Sequence, residues 1–419
     1  MGLGVVALAS ACANGGGASG SETLSGSGGS ASVDDGGSGE SGGYEPEGEL
    51  AEPDALGPQG LRRLSLAELS ATLQLLTGLG ADEVDALLVV LPGDGSTPFD
   101  NDYPLQAPSA PLVEGMFSIA EALADRIMTD PQLRDAVLGC APTGPDDEAC
   151  LRAFTERFGR LALRRPLTSA ELDEYAAFIA FAEAENDFDV GASLVLEALL
   201  LDALFLYRVE RGEPTADDPE LFRLDDFEMA SRLSFLLWGS GPDDALLDQA
   251  AAGELDTPAQ IREAALALVQ DRRGLRQLQR LHALWLGYET MALEPDLAAS
   301  LRRETDALIE RALVDGSWLA LFTADDTWLD ARLAEHYGIA LPNGEPGWVE
   351  YPDVRRRGLV SHGTVLSIGA KFGDTSPTER GKAVWTRLLC NEIPPPPPEI
   401  DTGLPPSGGP ADACKSERY

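Results

Sequence analysis

The residue types best suited to chemistry gather in one segment, "TADDTWLDARLAEHYGI", which holds Asp325, Asp326, Asp330 and His336. Carboxylates and a histidine on neighbouring turns are what acid–base catalysis or a metal ion uses. A plainer duty fits the same residues. Asp325 or Thr327 at a helix start would cap its free N–H groups, and His336-Tyr337-Gly338 would close the helix at its negative end. The plainer duty is the expectation. Ser361 and His362 are adjacent in "GLVSHGTVLS", but neighbours on a helix point apart, so no nucleophile–base pair is expected. Arg160, Arg164 and Arg165 in "FGRLALRRPLT" form a local positive cluster. It could grip an anionic partner or sugar acid; pairing with nearby acids is the expectation. Asp100, Asn101 and Asp102 lack the spacing and closing glutamate of a calcium loop and read as a polar turn. Among 70 acidic residues, no pair can be singled out for glycoside hydrolysis, which needs a defined separation. No catalytic residue and no metal site is assigned, and the chain is not expected to be an enzyme itself.

Five cysteines remain to be placed: Cys12, Cys140, Cys150, Cys390 and Cys414. Cys12 ends a short apolar and small-residue run, like the end of a bacterial lipoprotein signal, although no basic residue precedes it. Lipidation is expected there. The other four allow three pairings. The economical one joins Cys140 to Cys150 across "CAPTGPDDEAC" and Cys390 to Cys414 across the proline-rich loop; four unconnected thiols are the alternative. Export would keep such bridges oxidised. Zinc is disfavoured, because no C-x-x-C occurs and His282, His336 and His362 are scattered.

The elements that must position these residues read as helices. Ser65 with Glu68, Thr168 with Glu171, and Asp225 with Glu228 are spaced as capping boxes, and Thr257-Pro258 starts a further helix. Met116, Ile119 and Leu123 share a face, as do Phe154, Phe158 and Leu161, and Leu278, Leu281 and Trp285. "DVGASLVLEALLLDALFLYRVERG" is apolar nearly all round and belongs in a core. Ser376, Pro377 and Glu379 open a helix running to about Leu389. Pro394 to Pro398 must then be extended. The six tryptophans, set among leucines, read mostly as core. Almost nothing alternates with period two apart from a short extended piece near Val349. The fold class is all-α.

Composition narrows the partners. The 419 residues carry a formal charge of −39, which phosphate backbones would repel, so nucleic acid is excluded as a partner. No apolar run approaches the roughly 18 residues of a membrane helix, leaving a lipid anchor as the expected attachment. Residues 13–59, rich in Gly, Ser and acid, cannot bury enough apolar surface to offset their ordering entropy and read as a tether.

The serial pattern resembles a known family. "LRRLSLAELSATLQLLTG", "FTERFGRLALRRPLTSAELDEY", "FRLDDFEMASRLSFLLWGSGPDDALLDQAAAGEL" and "RRGLVSHGTVLSIGAKFGDTSPTERGKAVWTRLLCNEIPPPPPEID" are similar, in that order, to the exported planctomycete and myxobacterial proteins built from surface and cytochrome-c-associated domains of unknown function. The resemblance spans roughly Leu61 to Asp401. It implies a C-terminal C-x-x-C-H module carrying haem c, which this sequence does not contain, so a truncated chain is expected. The modules expected are 1–12 (signal remnant), 13–59 (linker), 60–139, 140–212, 213–345, 346–401 and a tail, 402–419. The expected role is an outer-membrane, periplasmic or extracellular helical scaffold for haem-based electron transfer with a redox partner. The alternatives are a haem-free surface protein binding polysaccharide or protein, and a carboxylate-dependent hydrolase.

Overall fold

The computed structural model describes residues 60–95, 99–216, 218, 220–315, 317–352, 355–370 and 375–394. Cys12, the 13–59 linker, the prolines after Pro394, Cys414 and the tail lie outside the described residues. Those up to Leu281 form one compact unit and those from His282 onward a second. Helices dominate both, joined by three two-stranded antiparallel ribbons.

The first unit opens on β1 (Arg62–Arg63), which pairs with β2 (Tyr207–Arg208). Ser65 then caps α1 (Leu66–Thr77) in a reciprocal box with Glu68, and Gly78 ends it at φ 75°, a left-handed conformation that glycine adopts without steric penalty. α2 (Ala81–Leu88), α3 (Ala110–Thr129), α4 (Pro131–Leu138) and α5 (Glu148–Ala162) follow. Next come α6 (Ser169–Ala176), α7 (Ile179–Glu185), α8 (Phe188–Leu201) and α9 (Ala203–Leu206). α8 is the apolar segment, and it packs lengthwise on α3. Val195, Leu196, Leu199 and Leu200 meet Leu112, Ile119, Leu123, Ile127, Phe154 and Phe158 in one core. Burying each such leucine contributes about 1.5–3 kcal/mol. Asp202 stops α8 and caps α9, so the apolar run breaks before the strand.

A short ribbon, β3 (Glu213–Pro214) with β4 (Phe222–Arg223), leads to α10 (Asp226–Leu237), α11 (Asp244–Ala251), α12 (Pro258–Gln270) and α13 (Arg272–Leu286). Here a second, smaller core gathers Ala230, Leu233, Leu246, Ala250, Ala264 and Leu268. Cys140 and Cys150 are joined by a disulfide at a Cα separation of 5.8 Å. The bridge closes the turn-rich loop that enters α5. Cys390 is also disulfide-bonded.

The second unit is organised by α14 (Pro295–Asp315). Packed on it are α15 (Ala320–Thr323), the ribbon of β5 (Asp326–Leu329) with β6 (Gly347–Glu350), α16 (Ala331–Tyr337) and α17 (Gly363–Leu366). α18 (Pro377–Ala383) continues into one π turn, Val384–Leu388. The ribbon corrects the helical reading of "TADDTWLDARLAEHYGI". Asp326 to Leu329 pair with Gly347 to Glu350, so neither Asp325 nor Thr327 starts a helix. Asp330 does, its Oδ1 accepting the Leu333 N–H at 2.9 Å. A partner strand some twenty residues away overrides the local capping signal. Among the described residues no helix is long and apolar enough to cross a membrane.

Candidate functional site

The second unit buries a polar network whose central carboxylate, Glu304, looks in the sequence like any charged helix residue. Glu304 sits on α14 with no solvent exposure. Its Oε1 accepts from Thr327 Oγ1 of β5 at 2.6 Å. Its Oε2 accepts from the Tyr337 hydroxyl at the end of α16, at 2.7 Å. That hydroxyl in turn accepts the Gly363 N–H at 3.0 Å. One carboxylate thus ties α14, β5 and α16 together, and the tyrosine extends the tie to α17. Burial, and then Glu304 itself, push the Tyr337 phenol far above its ordinary range. Tyr351, also mainly by burial, is pushed up to about 12.

His362 joins the same network. Its Nδ1 lies 3.1 Å from Thr305 Oγ1, which is 2.7 Å from Thr364 Oγ1. Its Nε2 lies 4.0 Å from Glu304 Oε1 and is buried without a hydrogen-bond partner. A proton on Nε2 turns an N–H toward the carboxylate and leaves Nδ1 to accept from Thr305. Burial holds the imidazole below its ordinary value, although Glu304 pulls the other way.

The order Thr305, His362, Glu304 has the outline of a nucleophile, base and orienting acid. Two observations rule out that use. The His362–Glu304 separation exceeds a hydrogen bond. All three residues, and Thr364 with them, are fully closed to solvent, so no substrate reaches the hydroxyl. The network holds the unit together.

The residues nominated from the sequence are not brought together. Asp325 is exposed and 3.7 Å from Arg357. Asp326 makes a bidentate pair with Arg311 at 2.7 and 2.8 Å, and that guanidinium stacks 3.6 Å over Trp348. His336 is exposed near the end of α16, its ring 5.4 Å from Tyr337. Ser361 turns its hydroxyl to the Arg357 backbone, away from His362. Asp100 pairs with Arg280.

The three arginines of "FGRLALRRPLT" also part. Arg160 bridges Asp244 and Asp248 of α11. Arg165 pairs with Glu171, which holds that carboxyl at about 2. Arg164 is buried at φ 61°. Its guanidinium donates to the carbonyls of Ala162, Leu204, Phe205 and Tyr207. Burial lowers it to about 10, so it stays charged at neutral pH. The expectation for tryptophan is corrected as well. Trp238, Trp285, Trp318, Trp328 and Trp348 are only half-buried and Trp385 is 47% exposed. Indole N–H groups need partners. Those of Trp238, Trp285 and Trp385 find carbonyls of Leu268, Arg387 and Glu392 at 2.9 to 3.1 Å, which places these rings beside chain ends and turns.

What sequence reasoning missed in the first unit is a cavity of about 190 Å³ at the end of α9 and the start of α10. Leu163, Leu204, Val209 and Phe227 supply apolar wall, and Arg164, Arg165, Arg208 and Arg211 face it together with Glu210, Asp225 and Glu228. Four arginines within 48 positions are not a signal in a chain with so many dispersed charges; β1–β2 pairing and the α9 turn gather them.

A helical array with structural polar links, and no open catalytic constellation among the described residues, is the class of protein that the fold defines. The family follows from comparison. Residues 150–210 match PSD5, a protein of unknown function (DUF1595); residues 224–339 match PSD4 (DUF1592); residues 356–418 match PSCyt3 (DUF1588). The chain belongs to this multi-module, cytochrome-c-associated family of domains of unknown function. No curated protein and no solved structure matches it.

Haem c itself does not fit the residues present. Its attachment needs two free thiols followed by histidine. Cys140, Cys150 and Cys390 are in disulfides, and the sequence contains no cysteine pair so spaced.

Proposed function

We propose that the chain is an exported, non-catalytic helical scaffold that holds a c-type haem module, and through it a redox partner, at the cell envelope. The observation that carries this reading is the serial order of the three cytochrome-associated modules over residues 150–210, 224–339 and 356–418. Two supports accompany it. The side chains nominated for catalysis are held in caps, ion pairs and buried links. The Cys140–Cys150 bridge suits an oxidising compartment. Cys12 is the proposed lipid attachment, and the Gly/Ser/acidic linker the reach between anchor and body.

The test is expression of the gene with its native flanking sequence in a host that matures c-type haem. Haem staining of the denatured polypeptide, or of a protein that co-purifies with it, is the expected result. A haem-free polypeptide that brings down no haem protein overturns the proposal. Retention of that same polypeptide on polysaccharide beads would transfer the role to surface binding. Fatty-acid labelling lost on Cys12→Ser tests the anchor separately.

A further inference from the structure

We propose that the outward face of the β5–β6 ribbon is a binding platform for a neutral glycan, with Trp328 and Trp348 as its floor. Strand alternation defines the face. Thr327 and Leu329 point inward with no solvent exposure. Asp326 and Trp328 therefore point outward, and their partners across the ribbon, Glu350 and Trp348, share that face. Trp328 and Trp348 stand directly opposite one another, and opposed side chains on neighbouring strands start about 4.5–5.5 Å apart. Two half-buried indoles are thus set side by side. A tryptophan N–H usually finds an acceptor when its ring is packed away. Those of Trp328 and Trp348 have no partner among the described residues, and neither nitrogen is closed off from solvent. Two N–H donors and two apolar ring surfaces are within reach of a ligand.

The platform is held in place before anything binds. A one-residue slip of the ribbon would turn both indoles inward, and the inner face prevents it. Thr327 Oγ1 donates to the buried Glu304 at 2.6 Å, and Leu329 lies in a core with Leu301 and Leu333. Arg311 backs the Trp348 ring at 3.6 Å and is itself fixed by two bonds to Asp326, at 2.7 and 2.8 Å. Side chains already fixed lose little freedom on binding.

The chemistry of the face selects the ligand. A pyranose with equatorial hydroxyls, such as β-glucose, has ring faces made of C–H groups and a rim of hydroxyls. The faces suit indole rings. The rim suits the indole N–H donors and the exposed Glu350 carboxylate, which accepts from O–H groups. Glu350 and the net charge of −39 repel acidic sugars and phosphates. A protein partner fits poorly. A stable interface covers about 800 Å² on each partner, whereas a whole aromatic side chain offers about 150–250 Å², and these two are already half-buried. The inference goes beyond the haem-scaffold reading and does not depend on it.

Calorimetry of the full chain with cellohexaose, and separately with hexagalacturonate, tests the proposal. Cellohexaose is expected to bind saturably, one per chain, and more tightly than the acidic oligomer. Trp328→Ala removes half of the platform and should weaken binding about 10- to 100-fold with the helical circular dichroism unchanged. That variant could lose the ribbon, so the wild type supplies a second readout. Oxidation of exposed indoles by N-bromosuccinimide, located by peptide mass mapping, should slow at Trp328 and Trp348 when cellohexaose is present and stay unchanged at the exposed Trp385. No saturable cellohexaose binding by the folded wild type overturns the proposal, as does binding that leaves both indoles unprotected. Equal or tighter binding of hexagalacturonate overturns the neutral assignment. Concentration-dependent self-association that Trp328→Ala abolishes would give the face to a second copy of the chain instead.

Discussion

Replacing Tyr337 with phenylalanine isolates the buried link in the second unit, because it deletes one oxygen and leaves the ring in place. That oxygen donates to Glu304 Oε2 at 2.7 Å and accepts the Gly363 N–H at 3.0 Å. The Arg356 guanidinium, 4.4 Å over the ring, keeps its contact. Losing a hydrogen bond to a charged group costs about 1.5–3 kcal/mol, and stranding a buried backbone N–H about 1–3 kcal/mol. Partial relaxation makes the sum about 3–5 kcal/mol. Denaturant unfolding followed by tryptophan fluorescence reads this unit selectively, since Trp285, Trp318, Trp328, Trp348 and Trp385 lie in it and Trp238 alone lies outside. The midpoint should fall with the slope unchanged. A double-mutant cycle with Thr327→Val then tests the shared carboxylate, because both hydroxyls donate to Glu304. Coupling of about 0.5–3 kcal/mol is expected. A loss under about 0.5 kcal/mol for Tyr337→Phe, or strict additivity in the cycle, would refute the idea that Glu304 ties the unit together.

Other perturbations follow from the same geometry. His362 is held below its ordinary 6.5 by burial, with Glu304 opposing and Arg356 and Arg311 reinforcing. The unfolded chain then binds more protons, and stability falls as pH drops below about 6.5. His362→Gln should remove that loss, seen as a melting temperature that falls less than the wild type's between pH 7 and pH 5; parallel curves would sink the assignment. Asp306, raised to about 6 by burial, acts in the opposite sense in both proteins. It contributes stability that is lost as pH rises from about 3.8 through about 6. Cys140→Ser with Cys150→Ser opens a loop of sequence separation 10 and should cost about 2–3 kcal/mol, read by thermal melting without reductant; an unchanged melt argues that the loop is held otherwise. Arg164→Lys loses the fork that serves four carbonyls and should cost about 3–5 kcal/mol in urea unfolding; a loss below 1 kcal/mol would mean lysine or water satisfies them. Raising salt from about 0.01 to about 0.1 M shortens the screening length from about 30 to about 10 Å. That should raise the melting temperature, because repulsion from a net charge of −39 is long-ranged and the ion pairs are contacts; a fall would mean the pairs dominate.

Much of the helical frame was legible because its signals are local. The reciprocal boxes at Ser65/Glu68, Thr168/Glu171 and Asp225/Glu228 form as their spacing predicts. Ser376 is a partial case: it accepts from the Glu379 N–H, and the helix widens into a π turn before Leu389. Of the β5–β6 ribbon, the extended piece near Val349 was legible and falls in β6; β5 was hidden because its pairing partner is remote, and "DTWL" alone carries too little alternation to compete with a capping aspartate. The candidate sites were hidden for a related reason. Glu304 and Arg208 are ordinary charged residues until tertiary packing closes over them. The conspicuous clusters, Asp325–Asp326 and Arg160–Arg164–Arg165, instead disperse once neighbouring side chains point to different elements.

The cation this chain uses is almost always arginine. Of 31 basic residues, Lys371, Lys382 and Lys415 are the lysines, leaving 28 arginines. Lysine offers a point charge, whereas arginine offers a planar set of donors that can hold two acceptors at fixed angles. In so acidic a chain that difference is used repeatedly. Arg126 joins Glu83 of α2 to Asp130 at the head of α4. Arg152 joins Glu148 to Asp173 of α6. Arg273 joins Asp243 to Asp271 while lying 3.4 Å over Trp238. Individually such surface links are worth under about 1 kcal/mol, but each relieves repulsion between two acids as it forms, so their value rises with the acidity of the chain.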